Sequence, residues 1–312
     1  MSTNMASTYK NPAIPSNTGG LAASFSNSQL GGTAQFLQSN SLVAKVSFLI
    51  LTVLIFVFVL RLGTQLLNWL LGPPTSPILL KGMKDGKKML KITQDPKVND
   101  SITLIRSNNQ RYGTEFTYSV WLFIDDINYK PGQKKHIFHK GSEEMNQTTF
   151  KQGETNINTK GMAFPNNGPG LYLTDETGDK ANTLVVVMNT YEEVIEEIEV
   201  PNIPINKWIN VVIRVQNRVL DVYINGSIAI RHKFTSVPKQ NYGDVYVGAT
   251  TSSNKFDGFV SNLWYYDYAL GTREIEGIMS SGANTKLVSE SAINAKTSGF
   301  YFLSLRWFMP DD

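Results

Sequence analysis

The stretch NKWINVVIRVQNRVLDVYINGS (residues 206–227) decides the fold class of this chain. Apolar residues alternate with mostly polar ones over Ile209–Gln216 and again over Leu220–Ile224, and a period of two is typical of β-strands with one buried face. Asn225-Gly226 follows, a pair that favours a type I′ turn because both positions need a positive φ. The stretch therefore predicts two strands and a hairpin turn into a third.

Strand patterns also surround this stretch. Phe116–Ile124 alternates in the same way, and the uninterrupted apolar run Leu184–Met188 indicates a strand buried on both faces. Further strands are predicted at Asp244–Gly248, at Phe259–Tyr266 and, as a closing strand, at Phe300–Phe308. Many short strands separated by Gly, Pro and Asn indicate a mainly β, antiparallel sandwich rather than an α/β fold.

One short helix is predicted after residue 100. Thr272 can cap it, Glu274 and Glu276 fall in its first turn, and Gly282 lies beyond its end. We therefore expect the sandwich to carry a single short helix.

A long apolar run near the N-terminus, VSFLILTVLIFVFVL at residues 46–60, contains no charge and no helix breaker. As a helix, the segment between Lys45 and Arg61 spans about 24 Å, and both long cations can extend towards the headgroups that border the ~30 Å hydrocarbon core. Apolar character continues to Leu71, with polar residues along one face. We predict a transmembrane helix with an amphipathic extension over residues 41–71. Its predicted anchoring residues are Lys45, Phe48, Phe56, Phe58, Arg61 and Trp69.

Two other interpretations of this helix fit less well. A signal peptide would begin nearer the N-terminus and end in small residues. The core helix of a soluble protein would not need so dense a run of Phe, Leu, Ile and Val.

Positive charge is distributed unevenly around the helix. Only Lys10 and Lys45 precede it, whereas a basic set follows: Arg61, Lys81, Lys84, Lys87, Lys88 and Lys91. The positive-inside rule therefore predicts a cytosolic location for the C-terminal part. The sequons at Asn99, Asn146 and Asn225 would carry sugar only if that part were lumenal.

Two segments flank the predicted helix. Residues 1–40 are rich in Ser, Asn, Gly and Thr and almost uncharged, so we expect a disordered polar tail. Residues 72–100 contain four prolines among lysines and indicate a juxtamembrane linker. Residues 101–312 remain for the β domain.

Composition excludes several classes of function. The 312 residues include 41% hydrophobic and 11% aromatic residues, enough for a sizeable core. The net charge of +3 is too small to indicate nucleic acid as a partner. There is no cysteine, which excludes disulfides, thiolate metal sites and cysteine nucleophiles.

Three motifs together resemble the concanavalin A-like or laminin-G-like jelly rolls: FTYSVWLFID (Phe116–Asp125), NKWINVVIRVQNRVLDVYINGS (Asn206–Ser227) and FDGFVSNLWYYDYALGTREI (Phe256–Ile275). They occur in the order found in that superfamily and span about half of the chain. The resemblance implies an antiparallel jelly-roll sandwich preceded here by the single transmembrane helix.

The layout also resembles membrane-anchored laminin-G-like proteins of large DNA viruses of algae and other protists. The matching segments are SNSLVAKVSF, RSNNQRYGTEFTYSVW, PNIPINKWINVVIRV, PKQNYGDVYVG and YFLSLRWF. This resemblance implies a virion component that lies between an internal membrane and the capsid shell. It agrees with the cytosolic side that the lysines predict.

Catalytic patterns are not found in the sequence. Some members of the superfamily are glucanases with E-x-D-x-x-E or E-x-D-x-E on one strand, which aligns an acid and a nucleophile, and neither spacing occurs here. The acidic run over Glu192–Glu199 is better explained as a solvated strand edge. His136 and His139, three positions apart on a strand, should point to opposite faces, so we do not expect a metal pair.

Weak binding signals lie in two loops. Asp175, Glu176 and Asp179 place hard oxygen ligands close together, as Ca²⁺ prefers, although such a turn also occurs as a plain soluble loop. Asn166, Asn167 and Tyr172 combine amides with an aromatic ring, which suits a glycan. We expect no cofactor other than this calcium ion.

Three functional hypotheses follow. The first is a non-enzymatic structural protein that tethers a membrane to capsid or other virion proteins. The second is a membrane-anchored, lectin-like protein that binds glycans. The third, a membrane-bound glycosidase, is disfavoured because the paired carboxylates are missing.

Overall fold

The computed structural model describes residues 42–98, 100–107, 113–251 and 254–288. These residues divide into two units, one that ends at Gly72 and one that begins at Pro73. The predicted tail (residues 1–40) and the predicted closing strand (residues 300–308) lie outside the described residues. The helices are α1 (Leu42–Leu71) and α2 (Thr272–Ser281). The strands are β1 (Ile78–Asp85), β2 (Leu90–Ile92), β3 (Glu115–Ile124), β4 (Lys135–Gly141), β5 (Thr149–Gln152), β6 (Thr155–Asn158), β7 (Asn167–Leu173), β8 (Leu184–Met188), β9 (Glu196–Val200), β10 (Trp208–Gln216), β11 (Val219–Ile224), β12 (Ser227–Lys233), β13 (Asp244–Val247) and β14 (Gly258–Tyr266).

The first unit contains α1, an unbroken helix of 30 residues. At 1.5 Å per residue it is about 45 Å long, and it is long and apolar enough to cross a membrane. Its apolar side chains are exposed on all sides, for example Phe56 at 61% and Phe58 at 65%. The helix continues without interruption through Arg61 to Trp69.

The second unit is a sandwich of two six-stranded antiparallel sheets. The first sheet has the order β1-β14-β3-β10-β11-β12, and the second has the order β2-β13-β4-β7-β8-β9. Strands β5 and β6 form a separate two-stranded sheet. The prediction of a mainly β, antiparallel sandwich is confirmed.

The opening stretch of the sequence folds as its pattern predicts. Strands β10 and β11 pair antiparallel from Val211↔Ile224 to Gln216↔Val219. Asn225 and Gly226 have φ values of 51° and 79°, which are the positive angles that a type I′ turn requires. The turn leads into β12, which pairs back onto β11.

The main core lies between the two sheets. Ile209, Val211 and Ile213 of β10 are 0% exposed and belong to one cluster with Leu171 and Val186 of the opposite sheet. On the other face of β10, Val212 packs with residues of α2 and the loop before it. Strand β10, which looks half-buried by its sequence, is thus covered on both faces.

The linker interpretation of residues 72–100 is wrong for the part that forms β1 and β2. Strand β1 pairs with β14 and strand β2 pairs with β13, so this segment adds an edge strand to each sheet. Leu79, Leu80 and Ile92 are at most 4% exposed and anchor these strands in the core. The prolines precede β1 or follow β2, where they do not interrupt a hydrogen-bond ladder.

The cap of α2 also differs from the prediction. Gly271 is the N-cap residue, and Thr272 is the first residue of the helix. The carboxylate of Glu274 accepts a hydrogen bond from the backbone N–H of Gly271 at 2.7 Å. The backbone N–H of Glu274 in turn donates to the Gly271 carbonyl at 3.1 Å, so the cap is made without the Thr272 hydroxyl.

Candidate functional site

The predicted glycan contacts Asn167 and Tyr172 are buried. Both are 0% exposed, and Tyr172 Oη donates a hydrogen bond to Asn167 Oδ1 at 2.6 Å. Asn167 Nδ2 donates to the carbonyl of Ala163 at 2.7 Å. The glycan prediction is therefore wrong for these two residues, while Asn166 remains exposed and bonds Ser142.

The burial of Tyr172 has a simple structural cause. The outer face of the second sheet is covered by the segment around β5 and β6, and this cover forms a small second core. Met162 is 0% exposed within it, and Phe150 and Phe164 pack against it. Tyr172 is therefore enclosed by side chains such as Met162 and Phe150, which precede it by about 10 to 20 positions.

A cleft of about 300 Å³, here called the rim cleft, opens elsewhere on the sandwich. Its lining includes Arg106, Lys140, Gln240, Asn241, Tyr242 and Asp244. Arg106 and Tyr242 lie 136 positions apart, so no local sequence pattern could group them. None of the site residues predicted from the sequence lines the rim cleft.

The rim cleft combines an exposed aromatic ring with cations. Tyr242 is 76% exposed, and the Arg106 guanidinium lies 5.2 Å from its ring centroid. Arg106 Nη1 also donates a hydrogen bond to Tyr242 Oη at 2.5 Å. The arrangement holds the ring in a fixed position at the mouth of the cleft.

Polar groups and buried aromatics line the interior of the rim cleft. Lys140 is 8% exposed, its Nζ donates to the carbonyl of Gly243 at 2.5 Å, and burial lowers its pKa to about 8. Asn241 Nδ2 donates to the Lys140 carbonyl at 3.0 Å. Tyr118 and Tyr265 are buried below these groups. A concave site with aromatic walls and a few fixed polar groups can orient a small polar ligand.

The predicted calcium ligand Asp175 lies in a second, acidic cleft of about 290 Å³ that also contains Glu176, Glu197 and Glu199. The ammonium of Lys134 lies 3.5 Å from Asp175 Oδ1 and 3.4 Å from Glu197 Oε1. Burial raises the pKa of Glu197, and Lys134 opposes this effect. A buried cation of the chain itself thus balances part of the acidic charge.

The other two predicted ligands do not join Asp175 in a common group. Glu176 Oε2 pairs with Lys180 at 3.3 Å, and the side chain of Asp179 is outside the described part of the structure. Among the side chains that are described, no group of three His, Asp or Glu residues could hold a metal ion. Calcium binding stays a prediction.

The expectation that His136 and His139 point to opposite faces is wrong. His139 Nδ1 lies 2.7 Å from His136 Nε2, and both rings are 0% exposed. The register between β4 and β7 shifts between His136 and Phe138, and such a bulge breaks the alternation of side chains. The two rings therefore meet on one face of the strand.

Comparisons with known proteins identify the fold family. The model of the concanavalin A-like lectin/glucanases superfamily matches residues 96–276. No curated protein matches the chain. Similar solved structures include the binding domain of Paraclostridial mosquitocidal protein 1, with 15% identity, 67% of this chain and 46% of that chain covered and a TM-score of 0.42.

Another similar structure is the binding domain of botulinum neurotoxin DC in complex with rat synaptotagmin II. It has 15% identity and a TM-score of 0.41, with 66% of this chain and 45% of that chain covered. This chain therefore spans about half the length of these structures. Since the superfamily model covers more than half of its residues, the chain belongs to the concanavalin A-like lectin/glucanase superfamily.

Proposed function

We propose that this chain is a non-enzymatic, membrane-anchored binding protein in which α1 crosses a bilayer and the sandwich is the interaction domain. The observation that carries this proposal is the exposure of α1. Its large apolar side chains are exposed around the whole circumference, with Leu54 at 61% and Phe58 at 65%. No charged residue occurs between Lys45 and Arg61.

Such a surface is stable only when something apolar covers it. Full burial of one Leu, Phe, Ile or Val side chain contributes roughly 1.5–3 kcal/mol, and a bilayer offers this burial on all sides of a helix at once. Anchoring would also confine the sandwich to two dimensions and raise its effective concentration near partners on the same membrane. A binding domain of modest affinity would gain from this confinement.

In its most specific form, the proposal is a minor virion component that links an internal membrane to the capsid shell of a large DNA virus. Its support is the resemblance of the overall layout to such proteins, together with the lysines that follow α1. The partners would be the lipid bilayer and capsid or other virion proteins. The sandwich would supply a rigid contact surface.

The side of the membrane on which the sandwich lies tests this virion form of the proposal. Full-length protein in sealed membranes would be treated with protease from the cytosolic side, with and without detergent. We expect the sandwich to be digested without detergent and to cofractionate with virions made in infected cells. Protection from protease, with sugar on Asn146 or Asn225, would overturn the cytosolic orientation and the capsid partner.

A second candidate function, glycan binding, is favoured by the rim cleft. The ring of Tyr242 is 76% exposed and presents an apolar face beside the amides of Gln240 and Asn241. Sugars offer an apolar C–H face and hydroxyl groups that pair with amide donors and acceptors. The ring and the amides could therefore contact the same sugar.

A matched pair of tyrosines tests glycan binding. Full-length protein and its Tyr242→Ala and Tyr191→Ala variants would be compared on an immobilised glycan library. Tyr191 is a suitable control because it is 70% exposed, also has a cation near its ring, Lys239 at 5.3 Å, and does not line the rim cleft. We expect Tyr242→Ala alone to lose binding. Equal binding by all three proteins would reject the rim cleft as the glycan site.

A further inference from the structure

His136 and His139 form a continuous chain of contacts between two backbone carbonyls. His136 Nδ1 contacts the carbonyl oxygen of Gly248, and His136 Nε2 lies 2.7 Å from His139 Nδ1. His139 Nε2 lies 2.7 Å from the carbonyl oxygen of Ser142. Both rings are fully buried, so bulk water does not replace any of these contacts.

The number of protons in this chain decides how many hydrogen bonds it can form. Carbonyl oxygens only accept, so the two outer contacts each need an N–H on the imidazole. The central nitrogen–nitrogen contact needs a third N–H. Two neutral imidazoles carry two N–H groups in total, so a neutral pair leaves one of the three contacts with two lone pairs facing each other.

One additional proton satisfies the whole chain. With three N–H groups, each contact has one donor and one acceptor, and a second additional proton would place two N–H groups against each other in the centre. We propose that His136 and His139 act as one buried acid-sensing unit that takes up a single shared proton and thereby completes the hydrogen-bond chain from Gly248 to Ser142.

Burial acts against this uptake and sets its pH range. It lowers the pKa of His136 to about 4 and also lowers the pKa of His139, because the charged imidazolium loses its hydration. The unit therefore takes up its proton below the ordinary histidine pKa of 6.5. Folding lowers the pKa of both histidines. The contribution of the neutral pair to the free energy of unfolding is therefore fully present above pH 6.5 and is lost as the pH falls towards 4.

The titratable groups near the two rings include two tyrosines and two lysines. Tyr172 of β7 lies 5.5 Å from His136 and Tyr246 of β13 stacks on His139 at 4.9 Å. Burial raises the pKa of both phenols, so both stay neutral. On β4 itself, Lys135 Nζ donates to the Ile127 carbonyl and Lys140 Nζ to Gly243. Burial lowers the pKa of both ammonium groups, that of Lys140 to about 8.

The unit is connected to the protein surface through Tyr246. Tyr246 Oη donates a hydrogen bond to Glu143 Oε2 at 3.1 Å, and Lys91 Nζ pairs with the same oxygen at 2.8 Å. Glu143 directly follows Ser142, the acceptor at one end of the chain. The hydrogen bonds from Lys91 and Tyr246 lower the pKa of Glu143.

Histidine-selective ¹⁵N NMR on the full-length chain in detergent micelles tests this inference. The chain has three histidines, and His232 is the internal control because it is partly exposed and pairs with Glu196. Spectra from about pH 8 to about pH 4 would report which ring nitrogens carry protons. We expect the signals of His136 and His139 to change together, in one step below pH 6.5, with one proton gained by the pair.

Two results would overturn the inference. One is independent titration of the rings with a gain of two protons, and the other is a pair that stays neutral until the domain unfolds. A His139→Gln variant should abolish the acid-dependent change at His136 and leave the His232 signal as it is in the wild type. The wild-type titration decides the question even if this variant does not fold.

Discussion

Arginine substitutions within α1 offer a graded test of membrane anchoring. Thirteen of the fifteen residues at positions 46–60 are Leu, Ile, Val or Phe, and each contributes roughly −0.3 to −0.6 kcal/mol to membrane insertion. The run as a whole therefore contributes roughly −4 to −8 kcal/mol. One Arg near the helix centre costs about 2.5–3.5 kcal/mol. A single substitution should leave insertion favourable, whereas three should reverse its sign.

We therefore expect Val53→Arg to remain in membranes after alkaline carbonate extraction. The triple variant Val53→Arg, Ile55→Arg and Val57→Arg should be released into the soluble fraction. The matched control places three arginines near the helix ends, at Leu42, Leu66 and Leu70, where the side chains can extend to the headgroups. This control should stay bound.

Retention of the central triple variant would refute the reasoning. It would mean that a protein surface, not lipid, covers the helix, because a protein groove can supply counter-charges that a bilayer lacks. Release of the end-substituted control would also contradict it, since charge alone, irrespective of depth, would then decide extraction.

Three further predictions concern the sandwich. Asp221→Asn should lower the free energy of unfolding by about 1–3 kcal/mol in urea titrations, because Asp221 is 1% exposed and binds Arg214 and Arg231 at 2.9 and 2.6 Å. Tyr172→Phe should lower it by about 1–3 kcal/mol, because Asn167 loses its buried hydrogen-bond donor. Between pH 8 and pH 10.5 the stability of the wild type should rise relative to that of Lys140→Met, because the unfolded wild-type chain binds a proton there that folded Lys140 has lost.

Each of these predictions can fail in a specific way. A neutral Asp221→Asn would mean that the two arginines find water or another partner. A neutral Tyr172→Phe would mean that the small second core adjusts around Asn167. A rise of equal size in Lys140→Met would assign the effect to another group that titrates in the same range.

The sequence was sufficient for the fold class because its strand signals are local. The alternation over Ile209–Gln216 and the Asn225-Gly226 turn depend on neighbouring residues alone, and both appear in the structure as predicted. The apolar run Leu184–Met188 likewise forms a strand that is buried throughout. Length and composition also sufficed to recognise α1 as a helix that could cross a membrane.

The sites were not predictable because they depend on long-range pairing and on local irregularities. The His136–His139 contact exists because of a bulge, which no pattern of residue types indicates. Tyr172 looked accessible because its cover comes from a different segment. Glu196, part of an acidic run expected to be solvated, is 6% exposed and accepts a hydrogen bond from the Thr235 hydroxyl at 3.0 Å.

The pairing of β1 and β2 has a consequence for how the protein is made. Strand β1 pairs with β14 and β2 with β13, so the partners of both strands are translated about 150–180 residues after them. At synthesis rates of about 5–20 residues per second, the first strands would leave the ribosome roughly 10–40 s before the sandwich can close. During this interval the nascent chain would present unpaired, apolar edge strands next to a membrane segment that is already complete. Chaperones that shield such strands would therefore be needed most while residues 93–266 are being translated.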